Sequence, residues 1–318
     1  MKYKAGTARL DKLATDDETY RITTGEDIDS LVVSIATSGL INPPTLLPIK
    51  NQPYRIVCGF RRIRACLKLG WPQVPVRLLA ADAPAVHCAQ IAIADNTFGR
   101  ALNPVEISRA INLLAADLGD DAAVAEAAGR AGLPLTAADI SRLRPLTSLP
   151  PRFQAEIIAE TLPVPIAQRL LQMDAEDAEA VCDLFGEIRA GLNVQREILD
   201  NAQETTLREG VSLREVLTGD DLMQIREDPD LQRPHKTALI RKSIKFRRYP
   251  VLTATEERFN RRARALDLPG NVKLIPPAGF EGPDYSLNLK FRSRAQLREH
   301  KEILERLLTN DTLKDILD

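Results

Sequence analysis

Apolar and polar residues change their spacing twice along the chain. Between residues 28 and 40 the apolar positions recur at helical intervals, and Gly39 lies where such a helix would end. Strand-like and helical runs then alternate, at 45–49, 54–58, 60–69 and 74–79. This alternation predicts a small α/β domain over residues 1–103.

Beyond Pro104 the periodicity is helical almost throughout, which predicts an all-α domain over 104–217. The polar, proline-containing segment 218–240 is typical of a linker. Two strand-like runs and an amphipathic helix follow, at 271–275, 285–291 and 294–308. They predict a small α/β unit over 241–318, so the predicted fold class is α+β.

The composition is that of a globular protein, because 44% of the 318 residues are hydrophobic and 27% are charged. No apolar run is long enough to span a bilayer, and the polar N-terminus does not resemble a signal peptide. The four cysteines are scattered without a Cys-x-x-Cys pair, so we expect neither a disulfide framework nor a zinc site. We expect a cytoplasmic protein.

The net charge of −1 conceals an uneven distribution. Residues 1–118 carry 14 basic and 11 acidic groups, 119–217 carry 9 and 17, and 218–318 carry 20 and 16. Local charge sets the field that a polyanion meets, so this distribution says more about partners than the net charge does.

One segment combines a strand, a glycine turn and a basic helix start. The strand ending at Cys58 turns at Gly59 into a helix that carries Arg61, Arg62 and Arg64. Unpaired N–H groups at a helix N-terminus and fork-shaped guanidinium groups suit a phosphate. The alternative is an ordinary solvated helix face, and the short Gly-x-Arg-Arg pattern alone does not separate the two.

A second segment lies about thirty residues later. Asn103, Pro104 and Glu106 predict a helix N-terminus with a capping box. Just before it, the Asp95 carboxylate and the Asn96 amide are oxygen ligands of the kind that hold Mg²⁺ against a phosphate. A capping or turn role for this pair is the alternative.

In this order, these segments resemble the ParB family, whose N-terminal domain is also related to sulfiredoxin. Residues 59–65 resemble the family's GERRxRA box, and 95–104 resemble its ENxQRxxLNP box. The early arginine and the first helix with its turn are similar at Tyr20-Arg21 and 27–43, and 148–171 is similar to the stretch after the family's helix-turn-helix. The resemblance covers roughly residues 8 to 175.

The resemblance implies an N-terminal domain that binds CTP with Mg²⁺, a helical domain that binds a DNA site, and a dimer that nucleotide closes into a clamp. By position, the triphosphate would be held by Gly59, Arg61, Arg62 and Arg64. Asn96 would support the metal, and Asp95 stands where the family has a glutamate associated with hydrolysis.

The chain departs from the family pattern at two positions of these boxes. Phe60 replaces a glutamate, and Gly99 stands where the second box has an arginine, with Arg100 one place later. The departures weaken the expectation of triphosphate binding unless Arg100 occupies the same space, and they weaken that of hydrolysis further. Sulfiredoxin chemistry needs a cysteine at the position of Phe60, so thiol catalysis is not expected, and Cys58 is interpreted as a core residue.

Two segments are candidates for DNA contact. Helices predicted over 122–131 and 136–146 have helix-turn-helix length, and the second would present Ser141, Arg142 and Arg144, although an ordinary α-hairpin is the alternative. Between 241 and 264, nine cations stand against two acids. We predict that this segment contacts DNA phosphates without sequence preference, and a solvated helix surface is the alternative. The first five cations of the segment are Arg241, Lys242, Lys245, Arg247 and Arg248.

The leading hypothesis is a ParB-like, nucleoid-associated DNA-binding protein, regulated by CTP and acting in partition or gene regulation as a homodimer. The resemblance also implies a ParA-type ATPase partner. Slow CTP hydrolysis is left open. The alternatives are a ParB-fold enzyme that uses nucleotide for phosphotransfer or nucleic-acid cleavage, and a degenerate protein-interaction module.

Overall fold

The computed structural model describes residues 3–317. They form two compact units, which divide between Leu192 and Asn193. The fold is α+β, as predicted, because a five-stranded sheet and a two-stranded sheet accompany a larger number of helices. Among the described residues no helix combines the length and the apolarity needed to cross a membrane.

The first unit begins with a mixed five-stranded sheet in the order β1-β5-β3-β4-β2. The strands are β1 (Lys4–Arg9), β2 (Leu13–Ala14), β3 (Thr45–Leu47), β4 (Tyr54–Cys58) and β5 (Gln73–Leu78). In the centre of the sheet, Leu46 of β3 lies between Ile56 of β4 and Leu78 of β5, and both Leu46 and Ile56 are fully buried. Burial of this apolar centre stabilises the sheet.

Strands β1 and β2 were absent from the sequence prediction. The sequence of β1 has little apolar alternation, and only its Ala8 is buried. Its strand structure comes from antiparallel pairing with β5, in which Gly6 lies opposite Val76. Such pairing is a tertiary property that a window of sequence does not contain.

Three helices accompany the sheet: α1 (Asp29–Ser38), α2 (Phe60–Lys68) and α3 (Ala85–Thr97). Helix α2 begins directly after Gly59, whose φ is +91°. A Cβ atom at this position would lie 2.8 Å from Cβ of Pro44. Both the left-handed backbone and the close approach of Pro44 therefore require glycine at this turn.

The rest of the first unit is helical, as predicted. Its helices are α4 (Pro104–Ala115), α5 (Asp121–Arg130), α6 (Ala137–Leu143), α7 (Pro151–Ile158), α8 (Val164–Leu170) and α9 (Ala175–Ile188). The predicted capping box starts α4, because Asn103 Oδ1 accepts from Glu106 N at 2.9 Å and the Glu106 carboxylate accepts from Asn103 N. Helix α6 ends at Leu143, and a 3₁₀ turn follows over Arg144–Ser148 because Pro145 cannot continue an α-helix.

The second unit contains α10 (Leu192–Glu209), α11 (Leu213–Leu217), α12 (Asp220–Glu227), α13 (Arg233–Arg248) and α14 (Pro250–Ala265). Residues 218–240, predicted as a linker, are mostly helical, so this prediction is corrected. Pro234 lies in the first turn of α13, where a missing N–H is tolerated, so it begins a helix instead of interrupting one. Leu222 and Ile240 are both buried.

The division of the chain also falls earlier than the predicted domain end at residue 217. Helix α10 is held to α13 by ion pairs, of which Glu197–Arg241 is 2.5 Å long and Glu209–Arg247 is 2.7 Å long. These contacts join α10 to the second unit, although its sequence periodicity matches that of the preceding helices.

The predicted C-terminal strands and helix are present. Strands β6 (Val272–Ile275) and β7 (Ser286–Leu289) pair antiparallel, and they are followed by α15 (Arg294–Leu308) and α16 (Asp311–Leu317). A two-stranded sheet is marginal by itself. It is accompanied by a small apolar core formed by Phe259, Leu266, Leu307 and Ile316.

Candidate functional site

A cavity of about 370 Å³ opens at the N-terminus of α2. Its wall contains Asp95 and five of the six residues predicted to bind nucleotide: Gly59, Arg61, Arg62, Asn96 and Arg100. Arg64, the sixth, is not part of the wall. The fold thus brings together residues from the glycine turn and from the end of α3, which are more than thirty positions apart in sequence.

Arg62 and Asp95 form an ion pair inside this cavity. Their side chains are only 15% and 20% exposed, so water screens the pair weakly. Arg62 Nη1 also donates to the carbonyl oxygen of Asn42 at 2.7 Å. The guanidinium therefore already holds one anionic oxygen, which is the chemistry that phosphate binding requires.

Arg61 and Arg64 have separate partners near the start of α1. Arg61 donates to the carbonyl oxygen of Asp27, and its Nε atom is buried with no hydrogen-bond partner among the described residues. Arg64 forms an ion pair with Glu26, which also pairs with Arg21. The hydrogen bond from Arg64, supported by Arg21, lowers the pKa of the Glu26 carboxyl. Arg64 therefore belongs to a surface ion-pair network.

Arg100 is bound to a buried carboxylate. Its Nη1 and Nη2 atoms donate to the two carboxylate oxygens of Glu106, each at 2.6 Å, and Glu106 is 1% exposed. The same carboxylate accepts from Thr24 N at 2.9 Å and from Asn103 N at 3.1 Å. Burial opposes ionisation, but these hydrogen bonds lower the pKa of Glu106 below its ordinary value. If Arg100 moved to a phosphate, Glu106 would lose its charged partner.

Asp95 and Asn96 are the predicted oxygen ligands for a metal ion, and both are in the wall of this cavity. Asn96 Nδ2 donates to the carbonyl oxygen of Ala92 at 2.8 Å, so its amide oxygen is the atom that can face a ligand. Within residues 3–317 there is no cluster of three or more acidic, histidine or cysteine side chains suited to a metal. Mg²⁺ commonly uses one or two protein oxygens together with phosphate oxygens and water, and this pair fits that pattern.

Phe60 contributes to the apolar part of the cavity wall, with Ile22 and Leu31. It is buried where the family has a glutamate. Burial, followed by the nearby Asp95 charge, raises the pKa of the Cys58 thiol, which disfavours the reactive thiolate. Cys58 is itself buried, and its raised pKa disfavours reaction, so the structure agrees with its interpretation as a core residue.

The candidate DNA-contact residues of the first unit are exposed. Ser141 and Arg142 are on α6, whereas Arg144 is in the 3₁₀ turn that follows. Arg142 pairs with Asp139 at 2.8 Å, and Arg144 pairs with Asp121 at 3.4 Å. These are surface pairs of low stability, so both arginines can exchange partners. Major-groove binding by α6 stays a prediction.

The basic segment of the second unit differs from its appearance in sequence. All five predicted contact residues form ion pairs with glutamates: Arg241–Glu197, Lys242–Glu257, Lys245–Glu256, Arg247–Glu209 and Arg248–Glu204. Three of these glutamates are on α10, outside the segment in which the charges were counted. The excess of positive charge counted between 241 and 264 is therefore partly neutralised in the fold by glutamates from α10. DNA contact by these residues stays a prediction.

Sequence analysis missed Asn42 and the wider role of Glu106. Asn42 lies in the wall of the first cavity and of a neighbouring cavity of about 460 Å³, which also includes Asp95. Its position after α1 gave no signal. Glu106 was predicted only as a helix cap, because Thr24, which donates to it, is 82 positions away.

Comparison with known proteins supports the predicted family resemblance of the N-terminal part of the chain. Residues 8–96 match the ParB N-terminal domain. A probable chromosome-partitioning protein ParB of Chlamydia trachomatis is 29% identical over 60% of this chain and 66% of its own length. A nucleoid occlusion protein of Bacillus cereus is 34% identical over 25% of this chain and 27% of its own. The chain thus spans less than two thirds of each relative.

Among solved structures, the C-terminally truncated chromosome-partitioning protein ParB of Caulobacter crescentus, complexed with CTP-γ-S, is 22% identical. The match covers 58% of this chain and 99% of that one, with a TM-score of 0.27. The assignment therefore depends on the sequence matches, which agree with the order of the boxes around Gly59 and Asp95. On this evidence, residues 8–96 carry the ParB N-terminal domain, and the chain is similar to ParB chromosome-partitioning proteins.

Proposed function

We propose that this protein is a DNA-binding partition or nucleoid factor whose first unit binds CTP with Mg²⁺ at the start of α2. The observation that carries the nucleotide proposal is the ion pair between Arg62 and Asp95, inside a cavity that also contains Arg61. A partly buried guanidinium that holds a carboxylate oxygen is equipped to hold a phosphate oxygen.

The backbone at the turn supports the same ligand. The first N–H groups of α2 have no acceptor within the helix, so they can donate to a phosphate at the positive end of the helix. Arg61 and Arg62 add charge beside these donors, and the helix has no acidic residue in its first turn. These contacts support a phosphate group of any nucleotide. We propose CTP in particular because of the similarity to the ParB family.

Mg²⁺ would be held by Asp95 and by the amide oxygen of Asn96, together with phosphate oxygens. It would supply charge that neutralises the triphosphate. This arrangement requires Asp95 to separate from Arg62, which a phosphate bound to Arg62 promotes. Arg100 is not part of the proposed phosphate site, because it is already bound to the buried Glu106.

DNA would be contacted by α6 and the turn after it, through Ser141, Arg142 and Arg144. Their exposure and the helix-turn-helix length of α5 and α6 support this role. The names of the relatives support partition or nucleoid occlusion as the setting, which implies association with the nucleoid. A homodimer and a ParA-type ATPase partner belong to the same proposal through the family.

Calorimetric titration with CTP, ATP and GTP in Mg²⁺ tests the nucleotide site. We expect the wild-type chain to bind CTP and the Arg61→Ala, Arg62→Ala double variant to lose that binding. Lys50→Ala with Lys68→Ala is the matched control, since it removes two exposed charges outside the cavity. Binding of no nucleotide by the wild type contradicts the proposal and favours nucleotide-independent binding of DNA or protein.

A further inference from the structure

The second unit contains a larger cavity, of about 700 Å³, between α13 and α14. Five cations are in its wall: Arg241, Lys242, Lys245, Arg261 and Arg264. Three glutamates are also present, so positive charge is in excess. The cavity is separate from the proposed nucleotide site, and nothing inferred for it depends on that proposal.

The three glutamates are each paired with a cation of the same wall. Glu197 binds Arg241 at 2.5 Å, while two pairs join α13 to α14: Lys242–Glu257 at 2.8 Å and Lys245–Glu256 at 3.0 Å. The hydrogen bond from Lys242, followed by the weaker influence of Arg261, lowers the pKa of Glu257. The acidic charge of the wall is thus already neutralised by α13.

Arg261 and Arg264 are the cations left over. They are three positions apart on α14, so their side chains share one face of the helix. Both side chains are exposed, and among residues 3–317 neither guanidinium group forms an ion pair or a hydrogen bond. Arg261 acts on Glu257 only through the weaker Coulombic influence, while Glu257 is paired with Lys242, so the two neighbouring guanidinium groups leave an excess of positive charge at the edge of the cavity.

The wall also contains buried polar atoms without partners. Thr253 is 4% exposed, and its hydroxyl has no hydrogen-bond partner in the described part of the chain. The Nε atom of Arg241 is also buried and has no hydrogen-bond partner among the described residues. Buried donors are normally satisfied, so two in one wall indicate that a water, ion or ligand group belongs there.

We infer that the cavity between α13 and α14 binds phosphate groups, with Arg261 and Arg264 as the principal charged contacts. The ligand is either the backbone of a nucleic acid or the phosphates of a free nucleotide, since both present the same oxygens to a guanidinium fork. Lys242 and Lys245 can add further contacts, because exposed ion pairs exchange partners readily.

The test compares two double variants of the full chain. Arg261→Gln with Arg264→Gln removes the unpaired charges of the cavity. Arg258→Gln with Arg298→Gln removes two exposed charges of the same unit that are not in this wall. Both variants have the same net charge, so any difference between them is specific to the cavity. Thermal melting establishes that both are folded.

The first measurement is the affinity for a random-sequence DNA duplex, by fluorescence anisotropy over a series of salt concentrations. If the ligand is nucleic acid, the cavity variant weakens binding, and its log–log salt slope becomes shallower by about 1.8, since each lost phosphate contact removes about 0.9. The control keeps the wild-type slope. An equal change in both variants overturns the proposal for nucleic acid.

The second measurement is calorimetry with inorganic pyrophosphate in chains that also carry Arg61→Ala and Arg62→Ala, which removes the N-terminal cavity as a competing site. If the ligand is a free nucleotide, pyrophosphate binding persists in the control and disappears in the cavity variant, while duplex binding is unchanged. If neither duplex nor pyrophosphate distinguishes the two variants, the proposal is wrong.

Thr253→Val provides a readout that does not depend on charge. Valine has the same shape without the hydroxyl. If a bound phosphate satisfies that hydroxyl, the variant melts at a higher temperature than the wild type without ligand and gains less from pyrophosphate. An undiminished rise in melting temperature with pyrophosphate would show that Thr253 does not serve the ligand.

Discussion

Arg62 and Asp95 are 33 positions apart in sequence and form an ion pair in the wall of the N-terminal cavity. The pair occupies the guanidinium group that a phosphate would use. Asp95 is therefore both an internal competitor for Arg62 and, in the proposed complex, a ligand of Mg²⁺. These two roles have opposite effects on nucleotide affinity.

Replacing Asp95 by asparagine should reveal both roles. Without Mg²⁺, we expect Asp95→Asn to bind CTP about tenfold more tightly than the wild type, because a charge-assisted hydrogen bond worth about 1.5 kcal/mol no longer competes. With Mg²⁺ the advantage should shrink or reverse. Calorimetry in both conditions measures this, with Asp82→Asn, an exposed acid outside the cavity, as control. Equal affinities without Mg²⁺ would exclude competition by Asp95.

Glu106 should make the stability of the first unit depend on pH. Its pKa is lower in the folded chain, so its contribution is complete above its ordinary pKa of about 4.5 and is lost as the pH falls through the lower folded value. At pH 7, Glu106→Gln should lose about 2 kcal/mol, because the neutral amide weakens the charge-assisted hydrogen bonds that the buried carboxylate accepts from Arg100, Thr24 N and Asn103 N. Urea unfolding at several pH values measures the difference, which should narrow in acid.

The control for this series is Glu126→Gln. Glu126 pairs with Arg130 on an exposed face of α5, where both side chains are about two-thirds exposed. An i,i+4 surface pair contributes only about 0.5 kcal/mol. If Glu106→Gln and Glu126→Gln lowered the free energy of unfolding equally at pH 7, the buried hydrogen bonds of Glu106 would contribute no more than a surface ion pair.

Glycine at position 59 should be required for two separable reasons. Gly59→Ala introduces a left-handed alanine, at about 1 kcal/mol, and an overlap with Pro44. Gly70→Ala introduces only the left-handed alanine, because φ is +70° there and no atom lies within 4 Å of the added Cβ. We expect a loss of about 3 kcal/mol at Gly59 against about 1 kcal/mol at Gly70 in urea unfolding. Similar losses would mean that Pro44 moves aside freely.

The ion pairs of Arg247 and Arg248 predict a structural effect. Their partners Glu209 and Glu204 are on α10, so Arg247→Ala with Arg248→Ala should loosen the contact between α10 and α13. We expect a lower melting temperature and little change in the salt dependence of DNA binding. A clearly shallower salt slope in a fully stable variant would support the prediction that these arginines contact DNA.

Helix α6 should contribute to recognition of a specific site. After selection of a preferred duplex, Arg142→Ala with Arg144→Ala should weaken its binding by about tenfold to a hundredfold, with little effect on stability. Arg9→Ala with Arg152→Ala is the matched control, because both residues are exposed and paired with an aspartate. An unchanged preference for the selected site in the α6 variant would assign recognition elsewhere.

Local sequence was sufficient for the features whose energetics are local. The capping box at Asn103 and Glu106 and the glycine turn before Arg61 each involve residues within four positions of one another. Backbone conformation and capping act over that range. The order of the boxes around Gly59 and Asp95 also identified the family.

Long-range pairing decided which charges are free. The cations between 241 and 264 outnumber the acids of that segment, yet three of their partners are on α10, and only the folded chain brings them together. In the same way, the sequence allowed Arg100 to replace the missing family arginine, whereas the fold binds it to Glu106.

The sequence by itself therefore determined the α+β class, the ParB N-terminal domain and most of the predicted residues around the N-terminal cavity, because periodicity, capping and motif order depend on neighbouring positions. Only the tertiary structure decided that Arg62 holds Asp95, that 218–240 is mostly helical, and that, among the described cations of the cavity between α13 and α14, Arg261 and Arg264 lack an ion pair. Ion pairing and burial depend on distances in space, and residues 30 to 80 positions apart acquire those distances only when the chain folds.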